Sequence, residues 1–127
     1  MAISNYLENK ILEATLNGVD FTAPTEVCIA LYTTDPTDDD IGQEVAGNGY
    51  ARQPITFSTP SNGSISNSAT IRFPVATDSW GTITHIGIRD SLSQGNLLYH
   101  GILAISQTIS TNNQLVINEG QLVITLD

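Results

Sequence analysis

Residues 82–106 read TITHIGIRDSLSQGNLLYHGILAIS, and this stretch indicates the fold most directly. It contains two runs rich in isoleucine, leucine and threonine, Thr82–Arg89 and Leu97–Ser106, which have the composition of β-strands. Between them lies Gln94-Gly95-Asn96, a polar segment with the glycine and asparagine that turns prefer. The stretch therefore predicts two strands separated by a turn.

Strand candidates recur on both sides of this stretch, separated by turn residues such as Pro60-Ser61-Asn62-Gly63 and Glu119-Gly120. Five further segments are predicted to be strands: Thr25–Thr33, Tyr50–Ser58, Ser68–Pro74, Gln114–Asn118 and Gln121–Asp127. In the first of these, both alternating sets of side chains are largely apolar, as in a strand buried on two faces. The last two are joined by two residues and predict a terminal β-hairpin.

A single helix is predicted near the N-terminus. Ser4 is a suitable N-cap, Asn5–Leu16 has apolar residues at helical spacing, and Asn17-Gly18 can end the helix. One helix cannot supply the crossovers of a parallel sheet. We therefore predict a mainly β protein, an antiparallel β-sandwich or barrel-like domain of about seven strands with one short N-terminal helix. Residues 1–127 are expected to form a single domain, with an N-terminal arm and helix at 1–18 and the β-sandwich at 25–127.

The composition disfavours some classes of partner. Four basic residues against thirteen acidic residues give a formal net charge of −9, which repels phosphate backbones and anionic lipid surfaces. No run approaches the roughly 18 apolar residues that span a bilayer. We therefore expect a soluble protein, made in a cytoplasm, that binds neither nucleic acid nor membrane. The single cysteine, Cys28, stands in an apolar run and is expected to be a small buried hydrophobe.

The segment Thr34–Gly49 has the composition of a long exposed loop and contains five acidic residues: Asp35, Asp38, Asp39, Asp40 and Glu44. Closely spaced carboxylates can bind calcium, but the segment lacks the spacing of the usual calcium loop, so a plain solvated loop is the alternative. The two histidines, His85 and His100, lack further ligands at zinc spacing. They are expected to be half-buried strand residues that hydrogen-bond a loop carbonyl or hydroxyl. We predict no metal and no cofactor.

Sequence motifs of catalysis are absent: there is no phosphate-binding glycine loop, no G-x-S-x-G elbow and no H-E-x-x-H helix. The chain is therefore predicted not to be an enzyme. Trp80, the only tryptophan, has two interpretations, a buried plug at a corner of the fold or a contact anchor. Aromatic and apolar residues of this kind form the predicted interface set: Tyr6, Leu7, Ile11, Tyr50, Trp80, Tyr99 and His100.

Four pieces of the sequence resemble a family of small structural proteins of tailed bacteriophages. They are Phe73–Thr77 (FPVAT), Trp80–Ile88 (WGTITHIGI), Val27–Pro36 (VCIALYTTDP) and Gly95–Gly101 (GNLLYHG). The resemblance runs through most of the chain and implies a virion component, made in the host cytoplasm, without catalytic residues. Such relatives are similar to capsid decoration (cement) proteins or are labelled tail-fibre proteins. The run Asp38-Asp39-Asp40 departs from the more neutral loop expected of such a protein.

Three functions are ranked on this basis. Capsid decoration, in which the protein binds and stabilises the outer capsid surface, comes first because a compact chain without coiled coil or repeats suits a cap. A tail or tail-fibre component comes second, so the expected partner is the major capsid protein or a tail protein. A host-receptor or carbohydrate-binding module comes third, and it requires Tyr50, Trp80 and Tyr99 to converge at one end. By analogy, the protein is expected to be a homo-oligomer, as a trimer.

Overall fold

The computed structural model describes residues 1–127 and is mainly β with one helix. In chain order the elements are β1 (Ala2–Ile3), α1 (Asn5–Leu16), β2 (Cys28–Tyr32), β3 (Gln53–Pro54), β4 (Ser64–Ser66), β5 (Ile71–Arg72), β6 (Gly81–Arg89), β7 (Leu97–Ile109), β8 (Val116–Ile117) and β9 (Val123–Thr125). One sheet has the strand order β1-β7-β6-β2-β3, and two small sheets pair β4 with β9 and β5 with β8. All pairs are antiparallel, which confirms the predicted fold class with nine strands instead of about seven.

Strands β2, β6 and β7 form the centre of the large sheet. All five residues of β2 are buried, as the two-faced apolar pattern predicts. β2 pairs along its whole length with β6, which in turn pairs with β7. A Cβ atom at Gly87, in the middle of β6, would lie 2.7 Å from the side chain of Leu97 and 2.8 Å from that of Tyr32, so a larger residue there would displace these buried side chains.

The hydrophobic core joins the large sheet to the two small ones. Side chains from all three sheets, and from the loops between them, form one buried cluster: Ile29, Leu31, Val45, Ile55, Ile71, Phe73, Ala76, Trp80, Ile83, Ile86, Ile88, Ile109, Leu122 and Ile124. Full burial of an aliphatic or aromatic side chain contributes roughly 1.5–3 kcal/mol. This shared core is therefore what holds the short strands of the small sheets in place.

The predicted terminal hairpin is wrong. β8 pairs with β5 and β9 pairs with β4, so the two segments at the end of the chain enter different sheets. The physical reason is Asn67, which is fully buried beside the turn between them. Its amide donates to the carbonyls of Ala69 and Asn118 at 2.9 and 3.0 Å, and its Oδ1 accepts from the N–H of Leu122 at 2.9 Å. Asn67 thus binds the end of one segment and the start of the other, while the turn keeps the hydrogen bond from the N–H of Gln121 to the carbonyl of Asn118 at 3.1 Å.

The other differences from the predicted strands concern short elements. β1 and β4 lie outside every predicted strand, and the predicted strand Tyr50–Ser58 is reduced to β3. Pro54 in β3 has no N–H to donate, which suits its position at the edge of the sheet. β7 continues past its predicted end at Ser106 to Ile109, because its last residues pair with the start of β6.

Helix α1 begins where predicted. The hydroxyl of Ser4 accepts from the N–H of Leu7 at 3.3 Å and donates to the carbonyl of Leu97, which ties the cap to β7. Leu7 is the only buried residue of the helix, so the apolar stripe covers the sheet at the first turn alone. Leu12 and Leu16, further along, are 53% and 76% exposed. The chain has no helix with the length and apolar character that crossing a bilayer requires.

The outer edge of β7 is covered at one end only. β1 pairs with two residues near the start of β7, and no strand pairs with that edge from Ile102 to Ile109. On the other edge, the register against β6 shifts between the pairs His85–Ile102 and Ile83–Gln107. One residue of β6 therefore faces four residues of β7, and the extra residues of β7 form a bulge.

Candidate functional site

The acidic loop, residues 34–49, is fixed to the body of the fold by its carboxylates. Asp40 accepts two hydrogen bonds from the guanidinium of Arg89, at 2.7 and 2.9 Å. Arg89 is buried and also donates to the hydroxyl of Tyr32 and to the carbonyl of Gly95, both at 2.9 Å. Burial opposes the charge on Arg89, but the hydrogen bonds to Asp40 and Tyr32 outweigh it and hold the pKa of the guanidinium above its usual value.

A second network holds the end of the acidic loop. Glu44 accepts hydrogen bonds from Arg52 at 2.8 and 2.9 Å and from the hydroxyl of Tyr50 at 2.7 Å. Arg52 also donates to the carbonyls of Ser91 and Gln94, at 2.8 and 2.7 Å. Burial raises the pKa of Glu44, but the hydrogen bonds from Arg52 and Tyr50 lower it by more, so the pKa lies below its usual value.

A third set of contacts joins the acidic loop to the helix and to β7. His100 Nε2 lies 2.7 Å from Asp38 Oδ1. The side-chain amide of Asn5 donates to Asp39 at 2.6 Å, and its backbone N–H donates to the carbonyl of Asp38 at 2.9 Å. The partner of His100 is therefore a loop carboxylate, where a carbonyl or a hydroxyl is expected from the sequence.

These contacts change both interpretations of the acidic loop. The loop is partly exposed, but it is not a plain solvated loop, because Asp38, Asp39 and Asp40 each contact a side chain of the same chain. The same contacts occupy carboxylate oxygens that a calcium ion would need. No group of three or more His, Cys, Asp or Glu side chains is placed to hold a metal ion. The acidic loop is therefore attached to β6 through Arg89 and to β7 through His100.

The three aromatic residues that a carbohydrate-binding module would bring together, Tyr50, Trp80 and Tyr99, lie in two separate places. Tyr50 and Trp80 meet edge to face, with ring centroids 5.4 Å apart and ring planes at 87°. Trp80 is 5% exposed, and its Nε1 donates to the carbonyl of Asn48 at 2.9 Å. Tyr99 lines an apolar hollow of about 330 Å³ between β4, β6, β7 and β9. The three residues do not form the shared end that a carbohydrate-binding module requires.

The other members of that set lie on or beside the N-terminal helix. Leu7 and His100 are buried within the chain, at 5% and 8% exposure. Tyr6 is half-buried, and the ammonium group of Lys10 lies 5.9 Å from the centre of its ring. Ile11, at 37% exposure, is the most exposed of the seven residues.

Two groups of exposed apolar residues lie outside the predicted interface set. One continues from the helix and comprises Leu12, Leu16, Val19 and Phe21. The other is on the open edge of β7, where Ile102 and Ile105 are 76% and 74% exposed. Apolar residues exposed in groups mark contact surfaces, whereas single ones are ordinary. The signal in the sequence is the unbroken apolar run from Ile102 to Ile105, because a half-buried strand alternates and leaves every second residue outside.

A comparison with known protein families shows to which family the chain belongs. The family model described as podophage GP4 fiber I protein gp80 matches residues 2–125, from the first strand to the last. The chain belongs to this family. No curated protein matches the sequence. The family match confirms the resemblance to structural proteins of phage virions.

Membership of a phage fibre family makes the protein a structural component of the bacteriophage particle, located in the virion. The partners of this fibre-family protein are therefore other components of the virion. The description of the family agrees with the tail-fibre alternative better than with capsid decoration, which ranks first from the sequence alone. The major capsid protein as a partner and the trimer stay predictions.

The attachment of the acidic loop of this fibre-family protein can be tested at Asp40. Asp40→Asn is expected to lower the free energy of unfolding by about 2 kcal/mol, because it leaves the buried Arg89 without a counter-charge. The cost is below that of a fully buried pair because Asp40 is 34% exposed. Asparagine tolerates the left-handed backbone at this position, where φ is 57°.

Urea denaturation measures the loss. Asp39→Asn is the matched control: it removes the neighbouring charge, whose partner is the side chain of Asn5, and should cost less than about 0.5 kcal/mol. Equal losses in the two variants would show that the Arg89 pair does not hold the loop.

The stability of the fold is expected to depend on pH through Glu44. Its pKa in the folded protein is below the usual value of 4.5, so its ionised form stabilises the fold above that value. This stabilisation is lost as the pH falls through the folded-state pKa. Glu44→Gln is therefore expected to be less stable than the unaltered chain at neutral pH, with a difference that shrinks as the pH falls below about 4.5.

The measurement is urea denaturation of both chains at a series of pH values. Glu119→Gln, which removes a carboxylate from an exposed turn, is the control for a change of one charge. A stability difference between Glu44→Gln and the unaltered chain that stays constant across the series would contradict the assignment.

Proposed function

We propose that this protein is a structural subunit of the tail fibre of a podophage and that it has no catalytic activity. The observation that carries the proposal is the match of residues 2–125 to a fibre-protein family. The matched range includes every strand and the helix, so the likeness belongs to the whole fold and not to one motif. Capsid decoration has no observation of this kind in its favour.

Four side chains that could take part in catalysis are engaged in contacts within the fold, which supports a structural role. Arg52, Arg89 and His100 hold loops against the sheet. Cys28 is fully buried, and burial raises the pKa of its thiol, which makes it a poor nucleophile. These four side chains are thus tied into the fold.

The fixed acidic loop suits a subunit that meets its neighbours with a preformed surface. Networks at Asp38, Asp40 and Glu44 attach this loop to β7, to β6 and to the turn that follows β6. A surface that is already ordered does not have to be ordered when a partner binds, which reduces the entropic cost of assembly.

The exposed apolar end of helix α1 is proposed to contact a neighbouring virion protein. Leu12 and Leu16 are 53% and 76% exposed, and Val19 and Phe21 extend the same apolar run into the following segment. Burial of a leucine side chain at an interface removes apolar area from water, which favours association by roughly 1.5–3 kcal/mol when burial is complete. The first turn of the helix is anchored by Ser4 and Leu7, so the remainder projects from a fixed point.

Gold-labelled antibodies against this protein, viewed on purified particles by electron microscopy, test the location. We expect gold at the tail, with an antibody against the major shell protein as the reference for labelling of the capsid. Gold spread over the shell would favour capsid decoration instead. Particles without gold, in a preparation whose shell reference is labelled, would argue against an exposed position in the fibre.

A further inference from the structure

The open edge of β7 combines three features that point to contact between copies of the chain. The first is unpaired backbone. From Ile102 to Ile109 the edge has no partner strand, whereas natural proteins cover or protect a strand edge of this length. Charged side chains, a usual means of protection, are absent here, since no Asp, Glu, Lys or Arg occurs between Ser91 and Asn118.

The second feature is an apolar groove beside this edge. It has a volume of about 610 Å³ and lies between the exposed part of β7 and β8. The apolar side chains that line it include Leu103, Ile105, Ile109, Leu115 and Ile117. Ile102 and Ile105 are the most exposed apolar residues of β7. Ile105 therefore projects beside a recess that can receive the same side chain of another copy, while Ile102 projects from the same edge next to Met1 and Asp35.

The third feature is the charge of this surface, which identifies the partner. The chain carries a net charge of −9, so two copies repel each other over most of their surfaces. Residues 91–118, which contain the open edge and most of the groove, carry no Asp, Glu, Lys or Arg. Around Ile105 and the groove, an identical copy can approach without repulsion between like charges, whereas Ile102 lies near the exposed Asp35. A basic partner would instead favour the acidic parts of the chain.

We propose that a second copy of this chain docks on this surface, β7 edge against β7 edge, with Ile105 of each copy entering the groove of the other and Ile102 at the end of the contact. Because both copies use the same patch, the contact is isologous and closes as a dimer, in place of the trimer expected by analogy. The contact uses the open β7 edge of both copies, so no further strand can be added there. The proposal deepens the fibre role by naming one partner.

Sedimentation equilibrium of the purified chain tests the contact. The unaltered chain is expected to show a concentration-dependent equilibrium between monomer and dimer. Ile102→Lys and Ile105→Lys each place like charges near one another in the dimer, and each should raise the dissociation constant at least about a hundredfold. Ile41→Lys is the matched control, since Ile41 is 73% exposed in the acidic loop, and it should leave the constant unchanged. Circular dichroism verifies that all three variants fold.

A monomer at every concentration would overturn the proposal, and so would a dimer that both edge variants leave intact. The unaltered chain could instead form a trimer that is weakened by the edge variants and not by Ile41→Lys. That result would support β7 as the contact surface and contradict the two-fold arrangement. These outcomes are separate from those of antibody labelling. If gold labels the shell and the edge variants lose the dimer, the fibre role is rejected while the contact between β7 edges is supported.

Discussion

Replacing Trp80 by alanine is expected to lower the free energy of unfolding by about 3–5 kcal/mol. Its side chain is 5% exposed, packs edge to face on Tyr50, and donates from Nε1 to the carbonyl of Asn48. Alanine would leave a large cavity in the core and one carbonyl without its partner. Because whole domains are stable by only about 5–15 kcal/mol, the variant should unfold at a much lower urea concentration.

Circular dichroism is the suitable probe, because the change removes the only tryptophan of the chain. Trp80→Phe is the matched variant: it keeps most of the volume and loses the N–H, so it should lose less stability than Trp80→Ala. Unchanged stability in Trp80→Ala, combined with failure to assemble into particles, would support a contact anchor over a buried plug.

The second large loss of stability is expected at Asn67, where Asn67→Ala should cost about 3 kcal/mol. The change removes three hydrogen bonds in a site that is 1% exposed, and it leaves the N–H of Leu122 and the carbonyls of Ala69 and Asn118 without a side-chain partner. Asn67→Asp should also be strongly destabilising, because a carboxylate cannot donate to two carbonyls.

Urea denaturation again measures the difference. Asn113→Ala provides the control, because Asn113 is exposed and its side chain accepts one hydrogen bond, from the N–H of Ser110 at 3.0 Å. Its loss should stay below about 1 kcal/mol. If Asn67→Ala were no more costly than this control, Asn67 could not be what separates β8 from β9.

The long strands could be predicted from the sequence because their signal is local. In β2, β6 and β7 apolar and β-branched residues extend over five or more positions, and Ser4 marks the start of the helix with a capping side chain. The short strands have no such signal. β8 and β9 are two and three residues long, and their partners are chosen by the shared core and by Asn67, which lies 51 residues before Asn118.

The attachment of the acidic loop could not be predicted for the same reason. Asp40 and Arg89 are 49 residues apart in the chain, and Asp38 and His100 are 62 residues apart, so neither pair leaves a pattern in a local window. The sequence leaves both interpretations of Trp80 open, because a tryptophan in a turn suits a core as well as an interface. The run from Ile102 to Ile105 was visible in the sequence, but its exposure depends on which edge of β7 lacks a partner.

The copy number of this fibre-family protein in purified particles decides whether it is a component of the tail fibre. Quantitative mass spectrometry gives the ratio of this protein to the major shell protein and to the tail proteins. The tail-fibre function predicts a simple ratio to the tail proteins and far fewer copies than the shell protein. Copies in simple ratio to the shell protein, or absence from the particle, would contradict it.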